Sequence, residues 1–178
     1  MKITLLSAPL SDDPSTAVFD LFEKLEIRAK TYEHEPHNTV AESRLAHHLM
    51  PGLHTKNLFV KDKASQLYLI TAEAESPLDL KSMDKVIGAK GRLSFASADQ
   101  MMTHLGIVPG CVSPLALVNE KQGAVRFVIE KKLLEAELIN VHPLINTRTT
   151  ALEPARLLAV LAATGHPPLI TELPYRQE

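Results

Sequence analysis

Three short clusters in this sequence hold the residues best suited to chemistry. The first is Thr55-Lys56-Asn57, followed by Lys61 and Lys63. Along a strand, alternate side chains share a face, which sets Asn57, Phe59 and Lys61 against Lys56, Leu58 and Val60. Lys56 then sits among aliphatic neighbours, where an ammonium needs an anionic partner or a functional reason. Taken alone, a strand-end lysine is more often simply solvated. The second cluster is Gly110-Cys111-Val112-Ser113-Pro114. Glycine permits unusual backbone angles and proline fixes the exit, so such a loop can aim N–H groups at a developing oxyanion, or serve as a plain connector. The third is His142-Pro143 with Asn146 and Thr147. The imidazole could donate to a substrate and Asn146 could orient it, although turn chemistry explains these residues equally well.

The familiar catalytic signatures are missing: there is no G-x-S-x-G, H-E-x-x-H, Walker A or G-x-G-x-x-G pattern. Cys111, the single cysteine, has no basic neighbour to make it a thiolate and reads as a small inert side chain. It also rules out an intramolecular disulfide and a multi-cysteine metal site. The eight histidines are mostly scattered. His47 and His48 are adjacent, so on a helix they point about 100° apart and share one ion poorly. No metal site is expected.

Composition narrows the partners. The 178 residues fit one domain, 45% hydrophobic and 22% charged. Aromatics make up only 4%, with no Trp, which argues against a nucleic-acid binder built on stacking platforms. A net charge of −2 supplies no broad basic face, so any RNA contact should be local, through a few Lys or Arg side chains. No apolar run approaches the roughly 18 residues of a membrane span, and the first residues are too weakly basic for a secretory signal. No membrane partner is expected, and the cytoplasm is the default location.

These clusters must be positioned by interleaved helices and strands. Residues 1–13 read as an N-terminal extension and 14–173 as a single domain. A helix is expected after Asp13 (its cap) and Pro14, with Val18, Phe19, Phe22 and Leu25 as its apolar stripe. Residues 28–33 look extended. Thr39 and Glu42 form a capping-box pattern opening a second helix that stops before Pro51-Gly52. Strands are expected at 57–61 and 66–71 around the polar turn 62–65, and a short helix at 80–87 ends at Gly88. A strand at 92–95 precedes a helix capped by Ser97 and Gln100 and stopped by Gly106. Further strands are expected at 115–118, 124–130 and around ELINVHP, then a final helix at 154–164 with Gly165 as its stop. Tight turns between several strands favour an α+β fold, a mixed and largely antiparallel sheet surrounded by helices.

In order, the segments YEHEPHNTVAES, KNLFVKDK, YLITA, DLK, RLSFAS, GIVPGCVSPLAL, FVIE, HPLINTRTT and GHPP resemble the YbaK/ProX family of aminoacyl-tRNA deacylases. KNLFVKDK and SFAS look closest to its freestanding, ProX-type branch, relatives of the editing domain in prolyl-tRNA synthetases. The resemblance implies a partly barrel-like mixed sheet, no metal, no cofactor, and hydrolysis of the ester joining an amino acid to the tRNA 3′ ribose. In the family the lysine of the K-N pair is required, which points to Lys56 with Asn57 beside it. The glycine-to-proline loop falls on Gly110, Cys111, Val112, Ser113 and Pro114, and the histidine on His142 before Asn146 and Thr147. Ala41 and Leu45 are implied as pocket walls. Where the family often has a small residue after the N-T pair, this chain has Arg148, which bears on the shape of the pocket.

The implied reaction is trans-editing of mischarged tRNA(Pro), first of all Ala-tRNA(Pro), in the service of translation fidelity. Water would attack with help from the vicinal ribose hydroxyl, and backbone donors near Gly110 would contribute about 3–4 kcal/mol at the oxyanion. The partner is a tRNA acceptor end carrying a small amino acid, with prolyl-tRNA synthetase or an elongation factor as a further partner to be tested. The competing reading is a non-catalytic module that binds aminoacyl-tRNA or an amino acid and regulates something else.

Overall fold

The alternating segments on either side of the turn 62–65 form the centre of the molecule. The structure, a computed structural model, describes residues 3–6, 13–36 and 40–177, with the backbone alone at 40–43. Strand β3 (Leu53–Lys61) pairs antiparallel with β4 (Leu67–Glu73), and the buried Asp62 carboxylate closes their turn by accepting the N–H groups of Ala64 and Gln66 at 2.8 and 3.0 Å. Around this hairpin stand β1 (Thr4–Leu5), β2 (Lys30–Glu33), β5 (Ser94–Phe95), β6 (Val125–Glu130), β7 (Ile139–Val141), β8 (Arg148–Leu152) and β9 (Leu169–Thr171). The nine strands form one sheet in the order β1-β2-β8-β7-β3-β4-β6-β9, with β5 pairing β3. The β3–β7, β4–β6 and β6–β9 pairings are parallel and the others antiparallel. The sheet is mixed, as expected, and does not close into a barrel.

Both faces of the central strands are covered, which explains why β4 is buried almost throughout. On one face Phe59, Leu69, Phe127 and Ile129 pack against Val18 and Phe22 of α1 (Thr16–Lys24) and Leu157 and Leu161 of α5 (Pro154–Thr164). On the other, Val60, Tyr68, Ile70, Ala72 and Val128 meet Met83 and Ile87 of α3 (Met83–Ile87) and Leu173 near the C-terminus. α2 (Val40–Leu49) and α4 (Ala98–Leu105) complete the helices. Among the described residues, no helix is long and apolar enough to cross a membrane.

Local chemistry sets most element ends. Ser97 and Gln100 form the expected capping box on α4, and Gly88, Gly106 and Gly165 end α3, α4 and α5 in the left-handed conformation. The Thr39–Glu42 capping box lies outside the described residues. The α1 cap expected at Asp13 is corrected: Ser15 holds the N-cap position, and the Asp13 carboxylate accepts the Ser15 N–H at 2.8 Å and pairs with Arg148 at 2.6 Å. The strand expected at 115–118 is instead a 3-10 turn, Pro114–Val118. Ser113 Oγ accepts the Leu115 N–H at 3.2 Å and Pro114 presets the first turn; five consecutive buried residues have no period by which to tell strand from helix. β1, β8 and β9 fall where no strand was expected, β1 within the segment read as an N-terminal extension.

Candidate active site

β3 and β7 pair only at Leu53–Ile139 and His54–Asn140, and just beyond that point they border a cavity of about 260 Å³. β3 contributes Thr55 and Lys56, β7 Val141 and then His142, β8 Thr149, α2 Arg44 and His47, and the residue just after α2, Met50. Thr55 Oγ1 donates to the Asn140 carbonyl at 2.8 Å and fastens the two strands at the mouth of the gap. Gly52 makes the sharp entry into β3 with φ +103°; a Cβ there would stand 2.7 Å from the Leu138 carbonyl.

Lys56 is half-buried on the face it shares with Leu58 and Val60. Its ammonium donates to the Ser76 backbone carbonyl. No carboxylate among the described residues comes within ion-pair distance of it. Burial lowers its pKa from the ordinary lysine value, while the more distant Glu130, Glu73 and Glu75 oppose that shift. The cation is held in place by a neutral group and keeps donors and charge for a ligand.

His142 is the second polar group in the cavity. Its Nδ1 lies 2.7 Å from the Arg148 carbonyl, which can only accept, so Nδ1 carries the proton and Nε2 the lone pair. Nε2 has no hydrogen-bond partner among the described residues. Burial lowers the His142 pKa, outweighing the Arg148 carbonyl contact that opposes it, and nearby His34 lowers it further. His34 lies 6.4 Å from His142 between ring centroids and within 2.8 Å of the Thr149 hydroxyl. On the α2 side His47 stacks on His54 at 3.9 Å, and Arg44 pairs loosely with Glu75 at 3.7 Å across the rim. Among the described residues, no three His, Cys, Asp or Glu side chains are grouped to hold a metal ion.

Two of the residues singled out in the sequence, Lys56 and His142, therefore meet in one cavity. Thr55 and His47 also line it, but most of the other candidates lie elsewhere. Asn57 is on the opposite face of β3, where its Oδ1 accepts the Thr71 hydroxyl at 2.7 Å. Gly110 is exposed at φ +90°, and the Cys111 N–H is donated to the Val108 carbonyl at 3.1 Å. Cys111 is buried in the main core, Val112 packs against it, Ser113 caps the 3-10 turn and Pro114 opens it. None of the five lines the cavity. The loop instead braces the His142 turn from behind: the Asn146 N–H reaches the Cys111 thiol, whose pKa burial raises. Asn146 is exposed, and the Thr147 carbonyl accepts the His34 N–H at 2.9 Å. Leu45 is half-exposed on α2 and does not line the cavity, where Met50 supplies the apolar wall. The side chain of Ala41 lies outside the described residues.

Sequence reasoning missed Thr149, Asn140 and Glu75 as lining residues; the β7–β3 pairing, invisible along the chain, brings Asn140 and Thr149 there, and the β3–β4 hairpin brings Glu75. Arg148 does not enter the cavity. Its buried guanidinium turns the other way, to Asp13, Glu33 and Ser15 at 2.6, 3.3 and 2.8 Å.

Similarity to known proteins follows the same ground. The model of a family described as aminoacyl-tRNA editing domain matches residues 34–160. Prolyl-tRNA synthetase associated domain-containing protein 1 of Mus musculus is 35% identical over 150 residues, covering 82% of this chain and 88% of that protein. Prolyl-tRNA editing protein ProX of Acetoanaerobium sticklandii is 32% identical over 155 residues, covering 86% and 94%. A crystal structure described as a candidate trans-editing enzyme for prolyl tRNA synthetase superposes with TM-score 0.71 over 94% of this chain and 100% of its own; at 19% identity it speaks to the fold alone.

Proposed function

This chain belongs to the aminoacyl-tRNA editing domain family, and from that premise we propose that it is a trans-editing deacylase that removes alanine from mischarged tRNA(Pro). The observation that carries the reading is the pairing of a held but unneutralised ammonium with a tautomer-fixed imidazole in one small cavity. An aminoacyl ester is already activated, so no protein nucleophile is needed. Water adds to the carbonyl carbon, the ester C–O bond breaks, and the proton passes to the departing ribose oxygen with help from the vicinal hydroxyl. Lys56 faces the carbonyl oxygen as charge builds there, the kind of contact whose loss costs about 10²–10³-fold in rate. The lone pair of His142 Nε2 holds the attacking water or the amino-acid moiety. Backbone donors at Gly110 have no part in this scheme, because that loop does not border the cavity.

Selection is steric. Met50 and Val141 form apolar walls suited to a methyl group, and exclusion of the bulkier cognate proline discriminates better than the roughly 1–3 kcal/mol that one methylene supplies. The scheme uses no metal.

The test is a panel of tRNAs charged with alanine, 2-aminobutyrate, serine, cysteine or proline, with ester loss followed over time. Alanine should be removed fastest, proline should be spared, and EDTA should change nothing. Binding without turnover across the panel would establish the non-catalytic module instead.

A further inference from the structure

The group that holds Lys56 is itself held, by a buried carboxylate that does not line the cavity. Glu130, at the end of β6, is 2% exposed and accepts three hydrogen bonds. Its Oε2 takes the Glu73 N–H at 2.8 Å, the Ser76 hydroxyl lies 3.0 Å from both oxygens, and the Tyr175 hydroxyl donates to Oε1. Glu73 and Ser76 are the two ends of the turn that leaves β4, closed by the Ser76 N–H to the Glu73 carbonyl at 3.1 Å. One carboxylate thus fixes both ends of the turn whose last carbonyl receives the Lys56 ammonium. The C-terminal segment clamps the turn from outside: the Arg176 N–H donates to the Pro77 carbonyl and the Asp79 N–H to the Pro174 carbonyl, both at 2.7 Å.

We propose that Glu130 is a positioning residue for Lys56, aiming the Ser76 carbonyl at the ammonium and lending it a fixed negative charge, with Tyr175 of the C-terminal segment completing the arrangement. A carboxylate buried at this depth is costly unless its lone pairs are filled, and three donors fill them here. A leucine at that position would fit an apolar core better; what the acid adds is control of one turn and of the field at one amine. Other charged groups facing that amine are Glu73 on β4, Glu75 just beyond it, and Arg176 on the C-terminal segment, which opposes them. Lys132 engages Glu73 at 2.6 Å, so part of that carboxylate's charge is already spoken for. Glu130 is the deepest of the three acids. The consequence for turnover rests on the deacylase reading; the consequence for the amine does not.

The experiment compares Glu130→Gln and Tyr175→Phe in the full chain, each alone and combined with Lys56→Ala. Single-turnover deacylation of Ala-tRNA(Pro) should fall about tenfold for Glu130→Gln, within the 10²-fold that a one-ångström misplacement can cost. On the Lys56→Ala background the same change should cost less than about twofold, because its route of action is gone. Equal losses on both backgrounds would show a merely structural role and overturn the proposal. In parallel, NMR titration of the Lys56 side chain should place its midpoint lower in Glu130→Gln than in the unaltered protein, and an unmoved midpoint would overturn the proposal. Should Glu130→Gln fail to fold, Tyr175→Phe decides: it must slow turnover only when Lys56 is present. If the unaltered protein deacylates no tRNA, the functional reading falls, while the titration still decides whether Glu130 governs the amine.

Discussion

At the scale of single residues, the proposed site pairs a cation with a base, and burial lowers the pKa of both. Lys56→Ala removes the only ammonium lining the cavity among the described residues and should slow deacylation about 10²–10³-fold, read in single turnover with the melting temperature little changed. Lys56→Arg should not rescue it, because a planar fork matches neither the single Ser76 carbonyl nor a point charge at an oxyanion. His142 makes a pH prediction. Its folded pKa is lowered from the ordinary 6.5, chiefly by burial. The neutral form required for an Nε2 lone pair therefore persists below that pH, and activity should stay level through neutral pH and fall only in more acidic buffer. The sign for stability is the same. Below about 6.5 the unfolded chain takes up a proton that the folded imidazole refuses, so stability falls with pH until the folded value is passed. His47 is shifted in the same direction, again by burial first. His142→Gln should flatten the acid slope of stability in part, leaving the His47 share; a slope unchanged by the substitution would refute the assignment.

At the scale of elements, Arg148 shows how a departure from a family pattern is absorbed. The sequence raises the prospect that this long side chain reshapes the pocket. β8 settles the matter by alternation: Thr149 faces the cavity and Arg148 faces away, into the space between β2 and the start of α1. There it ties Asp13 and Ser15 to Glu33. Arg148→Met should cost about 2 kcal/mol in urea unfolding, the range for hydrogen bonds to charged groups. Turnover should hold within a few fold, because His142 is fixed by the backbone carbonyl of residue 148, which methionine keeps. Asp13 should carry the matching pH signature: burial alone would raise its pKa, but hydrogen bonds from Ser15 and Arg148 lower it overall, so its contribution is lost as acid protonates it. The same alternation separates what the sequence showed from what it hid. It placed Lys56 among Leu58 and Val60, and that face is where the amine is found. Caps and glycines foretold the ends of α3, α4 and α5. Hidden were the elements whose identity depends on partners far along the chain: β8, held by the Thr31 and Thr150 hydroxyls 2.9 Å apart, and the buried 3-10 turn. The cavity itself was hidden for the same reason, since it exists only because β7 pairs briefly with β3.

At the scale of the whole molecule, electrostatics limits how an RNA can be read. The chain has a net charge of −2, with 19 Lys and Arg against 21 Asp and Glu. Around the cavity, Arg44 is shared with Glu75, and nearby Lys132 is taken by Glu73. That balance favours a grip on a few phosphates at the end of one strand over one that follows a long phosphate backbone. Binding to single strands loses about 0.7 of a logarithmic unit per tenfold change in salt for each phosphate engaged. Two or three phosphates at the acceptor terminus therefore predict a slope near −2 in a plot of log affinity against log salt. A short acceptor-stem helix charged with alanine should be turned over within a few fold of the full tRNA, since a chain of net charge −2 offers little overall attraction to the rest of the RNA. A slope steeper than about −5, or a minihelix that is inert, would mean that the RNA is followed well beyond its end. The same physics makes the proposed site dependent on geometry rather than on field strength: the overall charge does little to draw the substrate in, so on the proposed reading discrimination rests on what fits between Met50, Val141 and the Lys56 ammonium.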